Sequence, residues 1–280
     1  MTKKPLLVLE VYSRHPLTSD FSAKQIKVLV EFGGGIFTPE KCDVYEPLRE
    51  KFDPVNIDTP VRWLTHPGAD FKFKRNRPIW IEGYIHNGKF PQMWIREGRH
   101  KPRVELKPTV PEPIFCTLWT TWIDLVAVKS KGVTFLKDFL LSVFRTAEAD
   151  YGFLTLQSDH KRKNFLVTED DQGTTEEFVG DDPEQGLPGL YWMNLFGPLY
   201  VEWFGLEKFN KVPATTMEEY PNGSVLLQFG ESPESCASAE VLQRQLQTRE
   251  ILGDSAFFDI ARMNRPLATP FANQSASSVT

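Results

Sequence analysis

The chain has 280 residues, 41% of them hydrophobic, a formal charge of -5 and a pI near 5.7. That length buries a sizeable core, as one large domain or two modest ones, and the acidic balance disfavours generic binding to polyanions. The three cysteines, Cys42, Cys116 and Cys236, fit neither a CxxC nor a Cys/His ligand pattern; they read as reduced thiols, not a secreted disulfide framework or a metal site.

The N-terminal run Pro5-Leu6-Leu7-Val8-Leu9 meets Glu10 and Arg14 too soon for the apolar core of a signal peptide. No uncharged stretch reaches the roughly 20 residues of a membrane helix. A cytoplasmic protein is therefore expected, without a membrane partner. Residues 5–12 and 25–32 mix β-branched and aromatic residues in short runs and read as strands, the second ending at Gly33-Gly34-Gly35. That triplet has neither GxGxxG spacing nor a following Lys-Ser/Thr, so it reads as a tight turn and not a phosphate cradle. Residues 43–53 carry charge at helical spacing and predict a short surface helix limited by Pro47.

Residues 71–85 alternate apolar with basic or polar side chains, the period-two mark of half-buried strands. Lys72, Lys74, Arg75 and Arg77, followed by Arg96, Arg99, His100, Lys101 and Arg103 with Trp80, Tyr84 and Trp94 between, could build a nucleic-acid platform. Their plainer reading is a solvated sheet face, since no RNA-binding motif accompanies them, and no nucleic-acid partner is expected. Prolines 102, 108, 111 and 113 mark an extended connection and a boundary between halves. Residues 116–126 then read as a buried strand.

From Thr134 to Asp150 the apolar residues Phe135, Leu136, Phe139, Leu140, Val143, Phe144 and Ala147 recur at three- and four-residue steps. They predict a helix capped by Thr134 and stopped at Tyr151-Gly152. Between residues 169 and 184 there is no Lys or Arg, while Glu169, Asp170, Asp171, Glu176, Glu177, Asp181, Asp182 and Glu184 accumulate. Such a run is either a solvated loop or a patch that steers a basic partner.

Next comes Gly186 to Gly205, GLPGLYWMNLFGPLYVEWFG, a hub of rings among glycines and prolines. Its side chains are core or contact surface; Tyr191, Trp192, Asn194, Tyr200 and Trp203 are assigned with the acids to partner binding. Pro221-Asn222-Gly223, flanked by apolar runs, predicts a hairpin. Residues 238–252 predict a polar helix with a narrow stripe of Val241, Leu242, Leu246 and Leu252, closed by Gly253, with Phe257 and Phe258 plugging it to the body. Beyond Pro266 the composition is that of a disordered tail.

The sum is an α+β fold, mostly antiparallel sheet with a few covering helices: a strand-rich half over 1–113, an α+β half over 114–265 and a tail over 266–280. The five histidines, at 15, 66, 86, 100 and 160, fall in no HExxH, HxH or triad setting, and no GxSxG elbow is present. No catalytic residue, metal site or cofactor is expected.

The string Gly186 to Gly205, with Asn222-Gly223-Ser224-Val225-Leu226-Leu227 and Leu252-Gly253-Asp254-Ser255-Ala256-Phe257-Phe258-Asp259, resembles the immunity protein 52 family of bacterial polymorphic-toxin systems. The resemblance covers roughly the second half of the chain. It implies a non-catalytic neutraliser that binds a cognate toxin in the cytosol. Toxins that attack nucleic acid are commonly basic, because they neutralise phosphates, so an acidic inhibitor matches them in charge. The rival readings are a structural or adaptor subunit of a bacterial assembly and, less favoured, an enzyme whose site assembles only in space.

Overall fold

The computed structural model describes residues 4–15, 17–66, 69–87, 117–170, 173–180, 186–263 and 265–271. The first half contains β1 (Leu6–Ser13), α1 (Ser19–Glu31), β2 (Lys41–Asp43), β3 (Glu50–Lys51), α2 (Asp58–Leu64), β4 (Ala69–Arg75) and β5 (Ile81–Asn87). Then come β6 (Thr117–Asp124), α3 (Leu125–Val128), α4 (Gly132–Thr146), β7 (Tyr151–Leu156), α5 (Gln157–Asn164), β8 (Phe165–Asp170) and β9 (Gly173–Phe178). The chain continues through β10 (Met193–Phe196), α6 (Pro198–Phe204), α7 (Leu206–Phe209), β11 (Thr216–Glu219), β12 (Val225–Gln228) and α8 (Ala239–Leu252).

Among the described residues, ten strands form one sheet in the order β11-β12-β10-β7-β1-β6-β5-β4-β2-β3, and β8 with β9 forms a separate ribbon. Every pairing between these strands is antiparallel, so the expected α+β class holds. β1 explains the layering. Leu7, Leu9 and Val11 enter one core, with α1 to α4, while Val8 and Tyr12 enter a second, with α6 to α8. A strand apolar on both faces must be covered on both, and helices lie on each side of the sheet.

β1 also pairs with β6 on one side and β7 on the other. The sheet therefore runs unbroken through the division expected at residue 113, which itself lies outside the described residues.

Several local expectations change. Residues 25–31 belong to helix α1, not a strand: Thr18 caps it by accepting from the Phe21 N–H at 3.4 Å, and Ser22, Gln25, Ile26 and Leu29 form its buried stripe. Two polar residues in that stripe hide a helical period behind a strand-like Val content. Residues 43–53 form no helix. The Asp43 carboxylate accepts the backbone N–H groups of Val44 (2.8 Å) and Arg49 (3.2 Å), a local competitor that folds the segment into a turn between β2 and β3. Gly33, Gly34 and Gly35 all take positive φ, as the tight turn requires.

Helix α4 starts at Gly132 with no side-chain cap from Thr134, and Gly152 does not stop it. Gly152 lies within β7, where an added Cβ would come within 3.0–3.2 Å of Val11, the Glu10 carbonyl and Phe144; it lets β7 approach β1 and α4. The Asn-Gly hairpin joins β11 to β12 as expected, with Gly223 at φ 81°. Ser238 caps α8 by accepting from the Val241 N–H, but Gln245 and Thr248 take the buried positions and Leu246 is 46% exposed. Within the expected tail Phe271 is buried, its ring edge-on to Tyr200; residues 272–280 lie outside the described set.

Candidate partner-binding surface

The acidic run is not one loop. Its first part forms the β8–β9 ribbon, with Phe165 opposite Phe178, Leu166 opposite Glu177, Val167 opposite Glu176, Glu169 opposite Thr174 and Asp170 opposite Gly173. Asp171, Asp181, Asp182 and Glu184 lie outside the described residues. Val167 is 51% exposed and Phe178 42%, so the ribbon offers apolar patches beside its acids.

A two-stranded ribbon is marginal alone in water, and here its roots are fixed. Asn164, fully buried at the end of α5, donates from Nδ2 to the carbonyls of Val179 (3.0 Å) and Pro188 (2.9 Å). Its Oδ1 accepts from the Tyr191 hydroxyl at 2.6 Å, and its carbonyl accepts from the Val179 N–H at 2.8 Å. One amide thus ties both ends of the ribbon to the hub. His160 reinforces the joint, its ring lying 5.2 Å from Phe178, 5.3 Å from Phe153 and 5.7 Å from Tyr191. Gly180, at φ 69°, passes directly under the Phe258 ring, where any Cβ would overlap it.

Beneath the joint lies a buried polar knot. Lys163 Nζ donates to Asp159 (3.0 Å), to Gln245 of α8 (2.9 Å) and to the Leu190 carbonyl, and sits 5.0 Å from the Tyr191 ring centroid. Burial pushes the Lys163 ammonium below its ordinary pKa, and the adjacent Asp159 carboxylate opposes that fall. Asp159 also accepts from the Thr155 hydroxyl (3.0 Å) and from Arg162. The knot pins α5, and with it the ribbon's root, against the hub and α8.

The hub itself is core. Tyr191, Trp192 and Asn194 are fully buried and Tyr200 is 1% exposed, which corrects their assignment as contact residues: rings this enclosed cannot touch a partner without the protein opening. Tyr191 and Asn194 satisfy each other, the Tyr191 N–H donating to Oδ1 (2.8 Å) and Nδ2 donating to the Tyr191 carbonyl (2.9 Å). The Tyr151 hydroxyl donates to Asn194 Oδ1 (3.2 Å) and the Gly189 carbonyl (3.0 Å); Trp192 Nε1 donates to the Gly230 carbonyl (3.2 Å). Trp203 is half-buried against Tyr200 and Phe204.

Asn164, Asp159, His160 and Lys163 escape sequence reasoning because α5, QSDHKRKN, has no apolar stripe and reads as surface. The only available signal is its position between a strand and the acidic run.

Elsewhere the expected solvated basic face is partly compensated. Lys74 pairs with Glu82 at 2.7 Å, and Arg75 donates to the Thr38 carbonyl at 2.7 Å; residues 94, 96, 99–101 and 103 lie outside the described set. A groove of about 460 Å³ between α1 and α4 is lined by Lys24, Lys27, Glu31, Phe32 and Arg145 among others, without a histidine. Among the described residues no cluster of His, Cys, Asp and Glu could hold a metal, and no helix is long and apolar enough to cross a membrane.

No protein-family model matches the chain, and no curated protein matches it. Among solved structures, its fold is similar to that of the Pseudomonas aeruginosa T6SS protein PA0821. The TM-score is 0.50 at 13% identity, with 88% of this chain and 72% of that one covered. The two share a fold; at that identity the likeness reaches no further.

Proposed function

We propose that this protein is a non-catalytic immunity protein that binds and neutralises a cognate bacterial toxin, with the β8–β9 ribbon and the acids that follow it as the contact. The observation that carries the reading is the rooting of an acid-bearing ribbon on a buried hydrogen-bond network. Asn164 and the Lys163–Asp159 knot hold the ribbon before any partner arrives, which lowers the ordering cost of association. The carboxylates steer a basic partner and set its register, while Val167 and Phe178 supply apolar contact at the centre. The hub's part is support. The resemblance of Gly186 to Gly205 to immunity proteins and the fold shared with a T6SS protein favour this role over that of an enzyme.

The test is co-purification with the product of the neighbouring gene, followed by rescue of cells that express it. Loss of both binding and rescue ends the immunity reading. With binding in hand, replacing Glu176, Glu177, Asp181 and Asp182 together by their amides is expected to slow association by about tenfold at low salt and to flatten its salt dependence. An unchanged association rate ends the steering role while leaving neutralisation standing.

A further inference from the structure

The two ends of the large sheet are finished differently. At one end β3 is two residues long, and both Glu50 and Lys51 are exposed charges, a blunt edge that discourages further pairing. At the other end β11 is four residues long and carries half-buried Met217. The bond from the Tyr220 N–H to the Ser224 carbonyl (2.9 Å) flanks the Glu219–Val225 pair and marks it as one whose members do not bond to each other. By alternation Met217 is the same. The backbone N–H and C=O groups of Met217 and Glu219 therefore point away from β12, and among the described residues they meet no hydrogen-bond partner.

The side chains around this edge define what fits it. Met217 packs onto the second core, whereas Glu218 and Tyr220 turn to α4: Lys137 donates to Glu218 at 2.6 Å, and the Arg145 guanidinium lies 5.1 Å from the Tyr220 ring centroid. Along that flank of α4 runs a groove of about 370 Å³ lined by Asp138, Leu141, Ser142, Arg145 and Thr146. Burial and the hydrogen bond that the Tyr220 hydroxyl donates to Glu218 at 2.8 Å raise the phenol's pKa, and the Asp138 charge adds to the rise. With Lys137 taken by Glu218 and Arg145 by the ring, the carboxylates of Glu219 and Asp138 are left exposed and without an ion pair among the described residues.

We propose that β11 is an open edge that accepts an extended, basic segment of a partner protein as an additional strand. The segment's backbone pairs with Met217 and Glu219, and the Lys or Arg side chains on one of its faces meet Glu219, on the face of β11 that Met217 shares and α4 does not. Charge argues against a second copy of this chain. Antiparallel self-pairing with Met217 bonded to Glu219 sets Glu218 directly against Glu218, where like charges repel. Centring it on Met217 instead leaves every Glu219 facing Thr215. The inference stands apart from the ribbon, at a different place in the fold.

The probe is an alternating Lys-Val octapeptide, with a Glu-Val octapeptide as the charge control, added to the full-length protein while amide exchange is followed residue by residue by NMR. The Lys-Val peptide is expected to slow exchange at Met217 and Glu219 by at least about tenfold, and the Glu-Val peptide to have no effect. Glu219→Pro removes an outward N–H without touching the ladder to β12 and is expected to abolish binding. Glu219→Gln, which keeps the backbone, is expected to weaken it about two- to fivefold. Unchanged exchange at both amides, equal binding of the two peptides, or full binding by Glu219→Gln and Glu219→Pro overturns the proposal. So does concentration-dependent self-association that Glu219→Pro removes, which would make the occupant a second copy.

Discussion

The hub and the acidic ribbon are neighbours in sequence and opposite in construction. Gly186 to Gly205 sends Trp192, Met193 and Leu195 into one core and Leu187, Tyr191, Phe196, Tyr200 and Phe204 into the other, so a single segment stitches both faces of the sheet. Among the described residues the β8–β9 ribbon pairs with itself alone, and it leaves Val167 and Phe178 open to solvent. Rings that look like a binding surface in sequence are enclosed, and the acidic ribbon beside them is a thin structure whose root is held by Asn164 and Tyr191. The lesson is that aromatic density marks where the molecule is rigid, and charge density marks what that rigidity holds out.

The most forceful way to break this contrast is to remove a hub ring. Trp192 is fully buried, packs in the first core and donates to the Gly230 carbonyl. Trp192→Ala is expected to cost about 3 to 5 kcal/mol, the sum of lost transfer energy and a cavity that the surrounding strands cannot close. Urea unfolding measures it. A variant of near-normal stability that merely loses its partner would return the hub to the contact surface.

A second prediction sharpens the contrast by setting a buried acid against the exposed ones. Glu10, on the hub side of β1, is 7% exposed and accepts from the Tyr12 hydroxyl at 2.6 Å. Burial outweighs that bond and raises its pKa from 4.5 to about 7. The unfolded carboxyl loses its proton near 4.5 and the folded one only near 7, so across that window the native state holds more protons and stability falls as pH rises. The full loss is roughly 3 kcal/mol, reached above pH 7. Glu10→Gln is expected to remove this slope between pH 5 and 8 in denaturant titrations; an identical slope in the variant would assign it to other groups.

Much of the sheet was legible because its signals are local. β4 and β5 alternate, β6 is rich in β-branched and aromatic residues, and the Asn-Gly turn places β11 beside β12. What was illegible depends on contacts distant in sequence. α1 buries Ser22 and Gln25, whose polar atoms find no hydrogen-bond partner among the described residues, and α5 buries Asp159, His160 and Asn164, the last satisfied by Val179, Pro188 and Tyr191, which lie 15 to 27 residues further on. The strand order that seats β1 between β6 and β7, and so fuses the two expected halves, follows from pairing across more than a hundred residues, which no window of sequence contains. The acidic run was visible in composition; what anchors the ribbon it forms was not, because a single asparagine carries no pattern.

That asparagine gives the finest separation of the two regions. Asn164→Ala leaves the Tyr191 hydroxyl and the Val179 and Pro188 carbonyls without their shared partner, at a cost of about 1 to 3 kcal/mol. If the ribbon is held by its root, the loss is local: amide exchange across β8 and β9 speeds up by more than it does in β1 and β7, and a protease cuts the ribbon before the sheet. Uniform acceleration throughout the molecule would mean that hub and ribbon open as one unit, and the division of labour between a rigid support and a presented surface would fail. Asn164→Asp discriminates further. It keeps the acceptor for the Tyr191 hydroxyl but loses the two donations from Nδ2, so its exchange pattern tells whether the ribbon hangs on the phenol or on the carbonyls.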